Sequence, residues 1–255
     1  VISGGLTQQM GWQTAFLVQG GVSLAIGALL LVRNVNAPGN VADMNEIGAR
    51  EPQPFNRKTQ ILVFAVVCIS ALLGGLIFNA VTISLPKFFD ERLIESGGDL
   101  AWVGASAGLV FAIAAFAQLP VGELLDRVGA RPILVSLLGC QIVCLLLLST
   151  ATGLASLVLS LALVTFIFAE IPITTWLLGQ YIAPRFRSRA VSVEYVLSLG
   201  VGAIAVPLIA ILRAKGFGFD VQFLGFALAA FFILIAALLL PKDAPKPLTE
   251  RPQSQ

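Results

Sequence analysis

Gly122-Glu-Leu-Leu-Asp-Arg-Val-Gly-Ala-Arg131 decides how this chain is read, because it is a short charged stretch between two long uncharged apolar runs. Ala101 to Val121 precedes it and Pro132 to Thr150 follows it. Each run has about the ~20 residues a helix needs to cross the hydrocarbon core of a bilayer. Charges are costly in hydrocarbon, so Asp126, Arg127 and Arg131 belong at a membrane face. Gly122 and Gly129 offer the backbone freedom for a tight hairpin between two helices.

Composition agrees. Of 255 residues, 57% are apolar and only 12% charged, with a mean hydropathy of +0.92. A soluble domain has roughly 45–50% apolar and 25% charged residues, so the class is a membrane protein. The net charge of +2 gives no reason to expect a nucleic-acid partner. The chain has no histidine, which removes the commonest general base and a usual metal ligand. No catalytic residue, metal site or cofactor is expected, and an enzyme is disfavoured. Cys68, Cys140 and Cys144 fall inside apolar runs and read as small hydrophobes.

The pattern divides the chain into five segments. Residues 1–13 read as the end of a preceding span and an external turn, and the opening within such a stretch leads us to expect a sequence incomplete at its N-terminus. Residues 14–33 are the first full span, with Trp12 placed as an interfacial anchor. Residues 34–59 are a polar, proline-containing linker. Residues 60–240 hold six further spans, beginning with Ile61 to Leu85, which Pro86-Lys87 is expected to end. Residues 241–255 form a charged tail.

Alternating the loops across the membrane assigns twelve of the sixteen Lys and Arg residues to one side. They are Arg33, Arg50, Arg57, Lys58, Arg127, Arg131, Arg185, Arg187, Arg189, Lys242, Lys246 and Arg251. By the positive-inside rule the linker, the hairpin and the C-terminus are cytoplasmic. The expected location is the cytoplasmic (inner) membrane.

Polarity then separates the spans. On Ile61 to Leu85, a 3.6-residue period aligns Cys68, Gly75, Asn79, Thr82 and Pro86 on one stripe. On Leu154 to Leu178, Glu170 and Thr174 share a face, continued by Tyr181. Polar groups at such depth face the bundle interior or a wet cavity, so Glu170, Asn79, Thr82 and Thr174 are the candidates for proton or solute contact. Glu170 lies ~12 Å from the nearer helix end, where a charge costs about 2.5–3.5 kcal/mol on insertion scales. Ile133 to Leu148 and Val221 to Leu240, dense in Leu, Ile and Phe, are expected to face lipid. Glu194, one turn into its span, is expected to form an ion pair with Arg187 and Arg189.

The opening stretch resembles the signature loop of the major facilitator superfamily of transporters, Gly-x-x-x-Asp-Arg-x-Gly-Arg-Arg. Ala130 departs from it at the first of the two closing basic positions. Residues 14–240 are similar to the sixth to twelfth of that family's twelve helices. The resemblance implies an all-α polytopic membrane bundle: a C-terminal six-helix half plus one preceding helix. It also implies secondary active transport of a small solute by alternating access, plausibly proton-coupled. The partners would be the bilayer, the solute and the missing N-terminal half. In that family the loop braces one conformation, which makes Gly122, Asp126, Arg127, Gly129 and Arg131 a latch. The rival reading is a seven-span receptor with an external N-terminus. A Gly-x-x-x-x-Gly-Lys-Ser/Thr phosphate loop does not occur, which disfavours ATP as the driving force.

Overall fold

The computed structural model describes residues 12–35, 56–93 and 100–241, and every element in them is helical. The opening turn, most of the linker and nearly all of the tail expected above lie outside those residues. The chain divides into two units, Val1–Glu51 and Pro52–Gln255. In the first, α1 spans Trp12–Val35. In the second, α2 (Arg57–Ile69), a π-helical segment (Ser70–Gly74) and α3 (Gly75–Leu93) form one continuous rod. It is followed by α4 (Leu100–Ala115), α5 (Gln118–Val128), α6 (Ala130–Leu148), α7 (Gly153–Tyr181), α8 (Pro184–Ala214) and α9 (Phe219–Leu238). Among the described residues six helices are long and apolar enough to cross a membrane: Arg57–Arg92, Gly104–Val128, Ala130–Leu148, Gly153–Tyr181, Pro184–Ala214 and Phe219–Leu238. A shorter apolar helix, Phe16–Val32, lies in the first unit. The protein is an all-α polytopic bundle.

Helix α7 is the hub of the second unit, packed against α4, α5 and α6 on one side and α2 and α3 on another. Helices α6 and α9 pair closely, and their sequences show why. Buried positions on α9 run Phe219, Phe223, Phe226, Ala230, Ile233 and Ala237, alternating steps of four and three that Leu240 continues just past its end. Those on α6 run Leu134, Leu138, Gln141, Leu145 and Leu148 in the same rhythm. That 3.5-residue period is the seam of left-handed helix packing. The two helices are therefore lipid-facing only in part: Val143, Leu147, Phe232 and Ile235 on their outer stripes are exposed, while the seam is closed.

Two boundaries differ from expectation. Pro86 lies inside α3 instead of ending it, because Phe88 and Phe89, both fully buried, hold the last turns. Phe88 meets Phe219 and Phe223 edge-on at 5.4 and 5.1 Å, tying α3 to α9. The expected run from Ala101 to Val121 is broken at Phe116-Ala117. Pro120 cannot donate to the Phe116 carbonyl, and Leu119 N reaches it at 3.2 Å in a tighter three-residue turn.

Candidate functional site

A cavity of about 210 Å³ opens on one face of the second unit, between the π-helical segment, α7 and α8. The π segment makes room for it. A π-helical turn interrupts the regular side-chain rhythm of the helix, and here Gly74 faces α7 and α9 while the next residue faces α8. A methyl group at Gly74 would lie 3.5 Å from Glu170 Oε1 and 3.9 Å from Oε2, so the carboxylate sits against the bare glycine. At Gly75 a methyl would come within 2.9 Å of the Cα, O and Oγ of Ser198. At Gly202 it would meet the Asn79 amide at 2.8 Å. Helices α3 and α8 therefore cross at near-backbone contact, and glycine at both points permits it.

Glu170 lines the cavity, 8% exposed, and its Oε1 has no hydrogen-bond partner among the described residues. Because α7 runs on to Tyr181, the carboxyl lies ~16 Å from that helix end, deeper than the sequence indicated. Ser70, 3% exposed, also lines the cavity with an unpartnered hydroxyl. Thr174 lines it too, its hydroxyl donating to the Ile171 carbonyl at 3.2 Å. Glu194, Tyr195 and Ser198 complete the α8 side.

The structure thus brings Glu170 and Thr174 together and leaves Asn79 and Thr82 outside. Asn79 donates to the Gly75 carbonyl at 2.8 Å and abuts Gly202. Thr82 donates to the Phe78 carbonyl at 2.7 Å and does not line the cavity. The π segment puts Cys68 out of phase with Gly75, while within α3 Asn79 is taken up at the α8 crossing and Thr82 lies seven residues, ~10 Å, beyond Gly75 along the axis. Ser70, Thr175, Tyr195 and Ser198 escaped the sequence reading, since hydroxyls in membrane helices carry little signal of their own.

Glu194 also differs. Among the described residues it forms no ion pair with Arg187 or Arg189, and its side chain turns to the cavity. Arg189 lies five residues away, ~140° around the helix; Arg187 shares its face but is ~10 Å distant along the axis. Arg187 donates to the Gly179 carbonyl at 2.5 Å instead.

The charged stretch is mostly helix. Gly122 sits inside α5 with open space around it, and Gly129 alone makes the turn, at φ +90°. Asp126 accepts a hydrogen bond from Trp176 Nε1 at 3.3 Å, joining α5 to α7. Arg127 pairs with Glu123 within α5, both well exposed, so that pair adds little. Arg131, in the first turn of α6, borders a small notch with Gly129 and Trp176. Ala130 is 5% exposed. A basic side chain at that position would have to be accommodated against the core. At the opposite end of the bundle, Arg213 pairs with Glu91 across α8 and α3, its guanidinium 4.1 Å above the Phe219 ring.

The sequence matches the family model of the Major Facilitator Superfamily over residues 1–193 and again over 96–255. It is similar to the candidate niacin/nicotinamide transporter NiaP of Bacillus subtilis (strain 168), with 28% identity over 184 residues. That alignment covers 68% of this chain and 43% of the relative, so the chain spans less than half of the relative's length. No solved structure matches the chain.

Proposed function

The chain belongs to the major facilitator superfamily, and from that premise we propose that it is the C-terminal portion of a secondary active transporter. It moves a small solute across the cytoplasmic membrane by alternating access, with α1 as the sixth helix and Arg57–Leu238 as helices seven to twelve. The N-terminal half is its partner, and the linker, the charged stretch and the C-terminus face the cytoplasm. The cavity at Glu170 carries this reading. It gathers polar groups from three helices, Ser70 and Glu170 among them with unpartnered oxygens, on one face of an apolar bundle, where a second bundle would close a path. Its volume suits a compact solute. The Asp126–Trp176 bond supports the latch, with Gly122, Arg127, Gly129 and Arg131 forming its frame.

Glu170 is the proposed proton carrier, since a buried carboxyl facing a cavity gains and loses a proton as water reaches it. The test is solute and proton flux in vesicles holding the complete two-bundle protein. Glu170→Gln is expected to abolish accumulation driven by a pH gradient while sparing solute exchange. Accumulation that follows the gradient unchanged removes the proton role, and absence of any solute flux removes transport.

A further inference from the structure

We infer that the solute held in this cavity is an organic cation with a compact apolar body, an assignment that rests on the transport reading above for calling the cavity a solute site. Three observations carry it. Two carboxylates from different helices, Glu170 and Glu194, line the cavity, and no lysine or arginine among the described residues lines it. Glu170 Oε1 and Ser70 Oγ, in residues 8% and 3% exposed, have no hydrogen-bond partner among the described residues. A buried oxygen without a donor is a standing demand that a ligand can meet. The remaining wall carries the rings of Phe78 and Tyr195 and the side chains of Ile167 and Ile171. Aromatic faces beside carboxylates are the surroundings that recognise alkylammonium groups.

Three arginines of the bundle have partners of their own: Arg187 the Gly179 carbonyl, Arg127 Glu123 and Arg213 Glu91. An anionic solute would face carboxyl groups with no lysine or arginine among the described residues on these walls to pair with it. A cation instead supplies the counter-charge that a carboxylate removed from water lacks.

The experiment measures equilibrium binding to the complete protein with probes matched in shape. Choline is compared with 3,3-dimethyl-1-butanol, and benzylammonium with benzyl alcohol and benzoate. Each cation is expected to bind at least about tenfold more tightly than its uncharged or anionic counterpart. Glu194→Gln, at a half-buried position, is expected to remove most of that preference, and Glu170→Gln to lower it only several-fold, which leaves solute exchange measurable. Cations that bind no better than their counterparts overturn the assignment, as does a preference that survives both variants in folded protein. Solute flux is followed separately in the same vesicles. Cation preference without flux sinks the transport reading and leaves the cation site standing; flux without cation preference does the reverse.

Discussion

Replacing Gly75 by alanine tests the crossing that shapes the cavity. The added methyl would lie 2.9 Å from the Cα and carbonyl oxygen of Ser198, whereas ordinary contact begins at 3.4 Å. Helices α3 and α8 must separate by about 0.5 Å, and neither backbone atom can swing aside. Overpacking of this kind costs about 1–3 kcal/mol. Alanine also favours the helix over glycine by up to ~1 kcal/mol, which works the other way. Gly200→Ala isolates that gain, because nothing lies within 4 Å of its added methyl. The steric term is therefore the gap between the two variants, about 1–3 kcal/mol. At ~2–4 °C per kcal/mol for a unit of this size, Gly75→Ala should melt roughly 2–12 °C below Gly200→Ala.

Melting can be followed in detergent with a thiol-reactive dye reporting exposure of buried Cys144, after exposed Cys140 is changed to serine. A second comparison sharpens the argument. The three atoms nearest a methyl at Gly202 all belong to the Asn79 side chain, so Asn79→Ala should rescue Gly202→Ala. Ser198→Gly should not rescue Gly75→Ala, since the offending Cα and oxygen remain. Equal melting of Gly75→Ala and Gly200→Ala, or rescue by Ser198→Gly, would refute the close crossing.

Three further outcomes follow from the geometry. Asp126→Asn and Trp176→Phe should each slow transport several-fold with expression retained, and the double variant should be no slower than the worse single one; additive losses would show that the two side chains act separately. Gly129→Ala should lower the melting temperature by roughly 2–8 °C, because an L-residue at φ +90° costs on the order of 1–2 kcal/mol, whereas Gly122→Ala should leave it level or higher. Removing Glu91 and Arg213 singly and together should give a coupling of at most ~1 kcal/mol that weakens in salt, as for other partly exposed pairs; a coupling independent of salt would contradict the ion pair.

Much of the bundle was legible without coordinates. Helix in hydrocarbon is compulsory for a lone span, since backbone groups there have no water to bond. Apolar runs therefore name the spans and charges name their ends. The two expected boundaries that moved did so for local reasons. Phe88 and Phe89 carried α3 past Pro86 by burying themselves against α9, and the missing amide of Pro120 tightened the chain at Phe116.

The site was legible only at Glu170 and Thr174. A carboxyl deep in a span is costly, so the sequence by itself marked Glu170 as a candidate. Which residues join it was decided by the tertiary structure, for a physical reason. In a membrane helix both faces are apolar, so composition does not say which stripe meets lipid, as the closed seam of α6 and α9 shows. Helical phase carries a stripe only while the helix keeps its period, and the Ser70–Gly74 segment breaks that period. Past the break, Asn79 turned to Gly202, and Ser70 and Glu194 came to share one cavity with Glu170.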